Sequence, residues 1–402
     1  MCNLSVCLSH FNWIDIKKCD VLHFNWIDIK KCDVLCSITF FDIIFFMIYY
    51  LGGMLQQFFG PARLLQSYTV LITLALYTGF ITSIRLLPHF YEKLPHDRGR
   101  EFTIAAEASK GKPTGAGFVF ITIFVVISFL FAPLSLLQCV TLALTWLMML
   151  TGYLDDKSVT SWGEYRKALL DFIVSLAEAI ILYIMISHAS GDGVVYFWLP
   201  FVTHAVAVHP IVYVVVCVIM LWSSINTTNC TDGVDGLSGT LVLVALITLG
   251  ALFYFVLGHV DIAGYLLVPH LSSGANWAVM TFALAGVLMG YLWHNAYPSE
   301  VLMGDAGSRA LGFFIGVCVM VSGNPFLILA TSTIIFVNGG MGLLKVALLR
   351  FFHIHIFNNI RFPLHDEMRK KRGWSPAQVL IKFLIVQLLV TVAMLGIFFK
   401  VR

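Results

Sequence analysis

The sequence predicts an all-α polytopic membrane protein of about ten transmembrane helices. Three observations carry this. The chain of 402 residues is 59% hydrophobic and 12% charged, with a mean hydropathy of +0.88. Apolar runs of bilayer-crossing length follow one another with short polar breaks. Acids gather at the ends of those runs, with only Asp171 and Glu178 inside one. Such a composition excludes a soluble globule, and a net charge of +3 is too small to argue for nucleic acid.

The first 46 residues stand apart. His10 to Leu22 reads HFNWIDIKKCDVL, and His23 to Leu35 repeats it without change. One short tandem copy is no solenoid. We read residues 1–46 as a duplicated leader outside the fold, with Met47 or Met54 as alternative starts. Residues 47–402 then form a single integral membrane domain. Of the nine cysteines, five (Cys2, Cys7, Cys19, Cys32 and Cys36) precede the first clear span, and none of the others forms a zinc-type pair.

Spans are expected at 69–88, 115–137, 138–154, 167–187, 205–225, 234–256, 275–294, 308–322, 325–349 and 377–399. Loops 89–114, 155–167 and 350–374 carry Lys and Arg, whereas 188–204, 257–274 and 323–324 carry none. The positive-inside rule places the basic set in the cytoplasm. Span parity puts the loops at 226–235 and 295–307 there too. Five loops thus converge on one cytoplasmic-face active-site cleft.

In chain order, the first of these loops ends in Lys110-Gly-Lys-Pro-Thr114-Gly-Ala-Gly. Glycines and lysines at a helix entry suit an anion, although the spacing is not that of the nucleotide P-loop and a solvated flexible loop explains it equally. Asp155 and Asp156 follow directly after a span. Adjacent carboxylates there repel each other and the negative helix end, unless a cation or proton resides between them. They can supply a general base or metal oxygens. Lys167 offers a phosphate partner, or is a membrane-edge lysine.

The stretch Asn226 to Gly239, NTTNCTDGVDGLSG, sets Asn226, Asn229, Asp232 and Asp235 at every third position. Glycines there let backbone approach a ligand. The plainer reading is a membrane-edge loop facing water. Asn295 to Ser308 follows, with Asp305 between glycines, either projecting into a tight cavity or capping a helix. The last loop holds His365, Asp366 and Glu367 before a basic run from Arg369 to Arg372.

Together and in this order, these pieces resemble the polyprenyl-phosphate N-acetylhexosamine-1-phosphate transferase superfamily, from about residue 60 onward. Its motifs are matched by Gly111 to Gly117, by Gly152-Tyr-Leu-Asp-Asp156, by Asn226 to Leu237 and by Asn295 to Ser308. Thr231 before Asp232, and Pro-Leu-His with Gly373-Trp374 downstream, resemble the muramoyl-pentapeptide branch. The chain departs from that branch at Asp366 and Glu367, where histidines are usual, and at Asn338, where an acid is usual.

The resemblance implies a bacterial enzyme of the cytoplasmic (inner) membrane. Its partners would be UDP-N-acetylmuramoyl-pentapeptide, undecaprenyl phosphate and the lipid bilayer, with Mg2+ as cofactor; a homodimer is compatible with it. Asp305 is expected as leading metal ligand, supported by Asp232. Asp155 is expected as base, with Asp156 supporting and His365 in the first histidine's role. Lys110, Thr114, Lys167, Asn226, Asn229, Asp232, Asp235 and Asn295 are expected to bind substrate. The alternatives are a relative using a UDP-N-acetylhexosamine without peptide and a membrane transporter, which would place its charges mid-span.

Overall fold

Each apolar run becomes a helix in the computed structural model, which describes residues 47–99, 109–158, 160 and 162–400. The duplicated leader lies outside the described residues. The helices are α1 (Ile48–Leu55), α2 (Tyr68–Leu86, continued by a 3-10 turn to Lys93), α3 (Gly117–Phe131), α4 (Leu136–Lys157) and α5 (Glu164–Ala189). After a hairpin come α6 (Pro210–Thr231), α7 (Leu237–Ala251, continued by a π-turn to Leu257), α8 (Val260–Tyr265), α9 (Gly274–Asn295) and α10 (Gly304–Val321). The chain closes with α11 (Leu327–Thr331), α12 (Met341–Phe352), α13 (Leu364–Arg372) and α14 (Pro376–Lys400). Among the described residues nine helices are long and apolar enough to cross a membrane, and α3 is a shorter apolar tenth.

Several boundaries differ from the sequence reading; α10, expected from 308, already starts at Gly304, so Asp305 is helical rather than in the preceding loop. The expected 115–137 span stops at Phe131, because Pro133 disfavours helix in the residue before it and cannot donate. Ser135 and Gln138 then form a capping box that starts α4. Residues 206–208 are not helix: Val206–Val208 pairs antiparallel with Val195–Phe197 as a short hairpin.

At its other end α6 continues to Thr231. Its threonines tolerate this because their hydroxyls bond the preceding turn, Thr227 to Ser224 O at 3.3 Å and Thr231 to Thr227 O at 2.8 Å. Asn226 and Asn229 are therefore helical rather than in a loop. The expected 325–349 span is broken after α11 at Ser332 and passes through a π-segment, Phe336–Gly340, before α12.

Helix α10 is the axis of the bundle, with every residue from Gly304 to Val321 buried. It crosses α6 where Ser224 Oγ donates to Gly312 O at 2.7 Å. The ends of α4, α6 and α9 and the starts of α5, α7, α10 and α14 meet at one end of the bundle. The hairpin closes the other end, where Trp198 donates to the Gly323 and Ser322 carbonyls.

Candidate functional site

The polar end is built by close backbone approach. A Cβ on Gly152 would lie 2.4 Å from the Asp305 carbonyl oxygen. Only glycine lets the last turn of α4 reach the first turn of α10 so closely. Gly304 sits at φ 68 beside the Asp156 carboxylate and the Gly115 amide. The 113–117 loop is tied to the same place, with Leu302 N donating to Pro113 O and Ala116 N to Leu302 O.

The two adjacent aspartates do different work. Asp156 accepts from Asp305 N and Ala306 N, both at 3.1 Å, and so caps α10 from a neighbouring helix. Its charge sits at the positive end of that helix dipole, which resolves the repulsion expected of the pair. Asp155 is buried and accepts from Trp162 N at 2.6 Å. Its other oxygen is ion-paired with Lys167, whose Nζ also donates to Asp305 Oδ2 at 2.9 Å. One ammonium from α5 therefore bridges carboxylates of α4 and α10.

Around this bridge lies a cleft of about 500 Å³ lined by Thr114, Asp155, Asp156, Lys167, Asn229 and Asp305, with His96 to Gly99 on its rim. A second, of about 650 Å³, is lined by Lys112, Asp232, Asp235, Asn295, Ser299 and Arg369 among others. Asp97 and Thr114 line both, so the two are lobes of one site.

In the second lobe, Asp235 accepts from Ser299 N at 3.1 Å and lies 3.9 Å from Lys112 Nζ. Asn295 accepts from Gly236 N at 2.9 Å and donates to Val301 O at 2.7 Å, fixing two loops against each other. Asn229 Oδ1 is 3.1 Å from Ser308 Oγ.

Three expected site residues line neither lobe. Lys110 is exposed. Asn226 spends its amide on Trp222 O, 2.9 Å, and Asp171, 3.4 Å. His365 is buried behind Gly233, where an added Cβ would come within 2.5 Å of Nε2. Its ring and backbone are hydrogen-bonded to Asn338 of the π-segment. Burial, assisted by Arg369, pushes the imidazole down to about 4. Asp366 is raised by burial against the pull of Arg361 and Arg369, and Glu367 is lowered by its bond from Lys371.

Sequence reasoning missed Lys112, Ser299 and Arg369 as lining residues. Lys112 could have been found: Pro113 next to it fixes an extended exit, so its side chain and not that of Lys110 is carried inward.

The family model of glycosyl transferase family 4 matches residues 138–323. The phospho-N-acetylmuramoyl-pentapeptide-transferase of Treponema pallidum (strain Nichols) is 56% identical over 348 residues, covering 87% of this chain and 95% of that protein. The chain belongs to this transferase family. Enzymes of the same name from Opitutus terrae and Campylobacter hominis are 31% and 27% identical; the matches cover 83% and 86% of this chain, and 95% and 98% of those proteins.

The carboxylates lining the cleft are oxygen donors of the kind a hard divalent cation takes. Among the described residues no group of three or more His, Cys, Asp or Glu could hold a metal. Magnesium seldom needs one, taking one or two carboxylates and leaving positions for phosphate oxygens and water. Asp155 and Asp305 already share a cation, the Lys167 ammonium.

Proposed function

We propose that the chain transfers phospho-N-acetylmuramoyl-pentapeptide from its UDP conjugate to undecaprenyl phosphate, giving the lipid-linked pyrophosphoryl sugar and UMP. The Lys167 bridge between Asp155 and Asp305 inside the cleft carries this reading. A lipid-phosphate oxygen bonds to the sugar-bearing phosphorus. The bond from that phosphorus to the bridging oxygen breaks, and UMP leaves with that oxygen.

The residues divide the labour. Lys167 supplies positive charge to phosphate oxygens. Asp155, held by Trp162 N, orients the lipid phosphate and takes its remaining proton where one is present. A phosphate monoester has its second pKa near neutrality, so positioning outweighs proton transfer. Asp305, with Asp232, would hold Mg2+, which when bound neutralises developing charge on the diphosphate. Asp156 positions Asp305 by fixing its backbone. The second lobe, with Asp235, Lys112 and Arg369, is of a size for the nucleotide.

The basic residues Arg98, Lys112, Lys157 and Arg369 lie at the same bundle end, which supports a cytoplasmic cleft in the inner membrane. A cysteine replacing Ser158 should then resist an impermeant external thiol reagent, and one replacing Gly193 should react.

The reaction is tested by UMP release with the two substrates. Asp305→Asn should lose about 100-fold or more in turnover and need more Mg2+. Asp155→Asn should lower turnover at unchanged Mg2+ requirement and recover in part as pH rises. Normal turnover and Mg2+ dependence in Asp305→Asn would sink the assignment.

A further inference from the structure

One turn deeper than the Lys167 bridge, the same helices form a second charged layer. Asp171 follows Lys167 by four residues on α5, and Arg309 follows Asp305 by four on α10. Residues so spaced share a helix face. Arg309 Nη2 is ion-paired with Asp171 Oδ1, and Asn226 of α6 donates to Asp171 Oδ2 at 3.4 Å. Both charged side chains are at most 2% exposed.

The layer is inverted relative to the one above. On α5 the cation is outer and the anion inner; on α10 the anion is outer and the cation inner. Asp171 also lies within electrostatic reach of Asp305.

Stability alone is a poor account of this pair. A buried ion pair holds helices together no better than apolar side chains of similar size. Here Arg309 Nε and Nη1 have no protein partner, so its desolvation is incompletely offset. Nor does α10 need the pair to stay in place, since it is joined to α6 at Gly312 and to α4 at Gly152 and Asp156.

We propose that Asp171 and Arg309 are positioning residues for the transfer reaction. Arg309 beneath Asp305 keeps that carboxylate from being drawn wholly onto Lys167. Asp171 beneath Lys167 holds the ammonium at the depth where it meets phosphate oxygens. Asn226, expected from its motif to bind substrate, belongs to this inner layer and anchors Asp171 to α6. The inference rests on the transferase reading given above.

Two double variants test it, D171N/R309M and D171R/R309D. The first removes both inner charges. The second keeps an ion pair between the same helices but puts each charge under a like one. Turnover, KM for both substrates, and melting in detergent are measured for each. Each folded double variant should melt close to wild type yet lose roughly 10- to 100-fold in kcat. KM should move little, because the loss is of transition-state alignment. Wild-type kcat in either folded variant overturns the proposal. If one variant fails to fold, the other decides; if both fail, the pair is a structural clamp and the proposal is wrong. Absence of UMP release by the wild-type enzyme would instead refute the transferase reading.

Discussion

Helix α10 has no exposed residue along its length, whereas α12 has no buried one. Both flank the polar end of the bundle, and they hold their chemistry by different means. Asp305 rides on α10, whose first turn touches Gly152 and gives two hydrogen bonds from backbone to Asp156. The wall beside α12 is held through side chains: Asn338 to His365, and Lys345 Nζ to the Phe357 and Ile360 carbonyls at 3.0 Å each. Stability is not uniform within one fold, and segments with few buried apolar contacts open first. The contrast teaches where tolerance ends. Asp305 sits on a helix whose every residue is buried, and the wall beside α12 is the one expected to give way without moving it.

The sharpest way to break this contrast is to add one methyl group to a tight helix contact and one to an open helix face. Gly152→Ala drives a Cβ into the Asp305 carbonyl, with backbone on both sides. Activity should fall by about 100-fold or more, because a displacement of an ångström at the reacting groups costs that much, and the protein should melt at lower temperature. Gly396→Ala in α14 meets nothing within 4 Å. It should be neutral or gain up to about 1 kcal/mol from helix propensity. Equal effects in a detergent melting assay would remove the contrast.

A smaller effect is expected from Asp156→Asn. The amide keeps one acceptor for the α10 amides but loses the charge at the helix end. Turnover should fall about 10-fold and stability by about 1 kcal/mol. Lys345→Met on the other wall should leave turnover within about threefold, while amide exchange at residues 354–360 quickens. If Lys345→Met is the more damaging to turnover, the walls have been assigned the wrong way round.

The smallest expected effect concerns pH. The fold holds His365 neutral, with its imidazole at about 4. The unfolded chain protonates it near about 6.5. Its contribution to stability is therefore intact above that value and is lost as pH falls towards 4. Melting temperature should decline over that window less steeply in His365→Gln than in wild type. In activity, His365 should contribute no ionisation between about pH 6 and 8. An acid limb in that range, abolished by His365→Gln, would make it a proton carrier after all.

Much of this was legible in the chain itself. Among the described residues, hydropathy placed the nine helices long enough to cross a membrane and the shorter α3, since the bilayer demands about twenty apolar residues of a span. The acids at span ends pointed to Asp155, Asp305 and Lys167, which the fold brings together across 138 residues of separation. Helix ends were harder to read, because threonines that satisfy their own backbone let polar sequence remain helical through Asn229. Asp155 was expected as base with Asp156 in support, but that Asp156 caps α10 was invisible, because it depends on which backbone amides lie opposite it. The Asp171–Arg309 pair was hidden for the same reason. A charge within a span announces that it has a partner but not which one.

The carboxylate of Asp156 has one more effect on the chemistry at this end of the bundle. A helix N-terminus is ordinarily an inviting berth for phosphate, with its amides unclaimed and its dipole favourable. At α10 that berth is occupied by the protein's own anion. On the transferase reading, an incoming diphosphate would be denied the backbone cradle on which many nucleotide enzymes rely, and would be left to side-chain cations such as Lys167. Inorganic phosphate and sulfate, which those other enzymes capture readily, should compete poorly here. On the transferase reading, selectivity would fall to reactants large enough to engage both lobes at once.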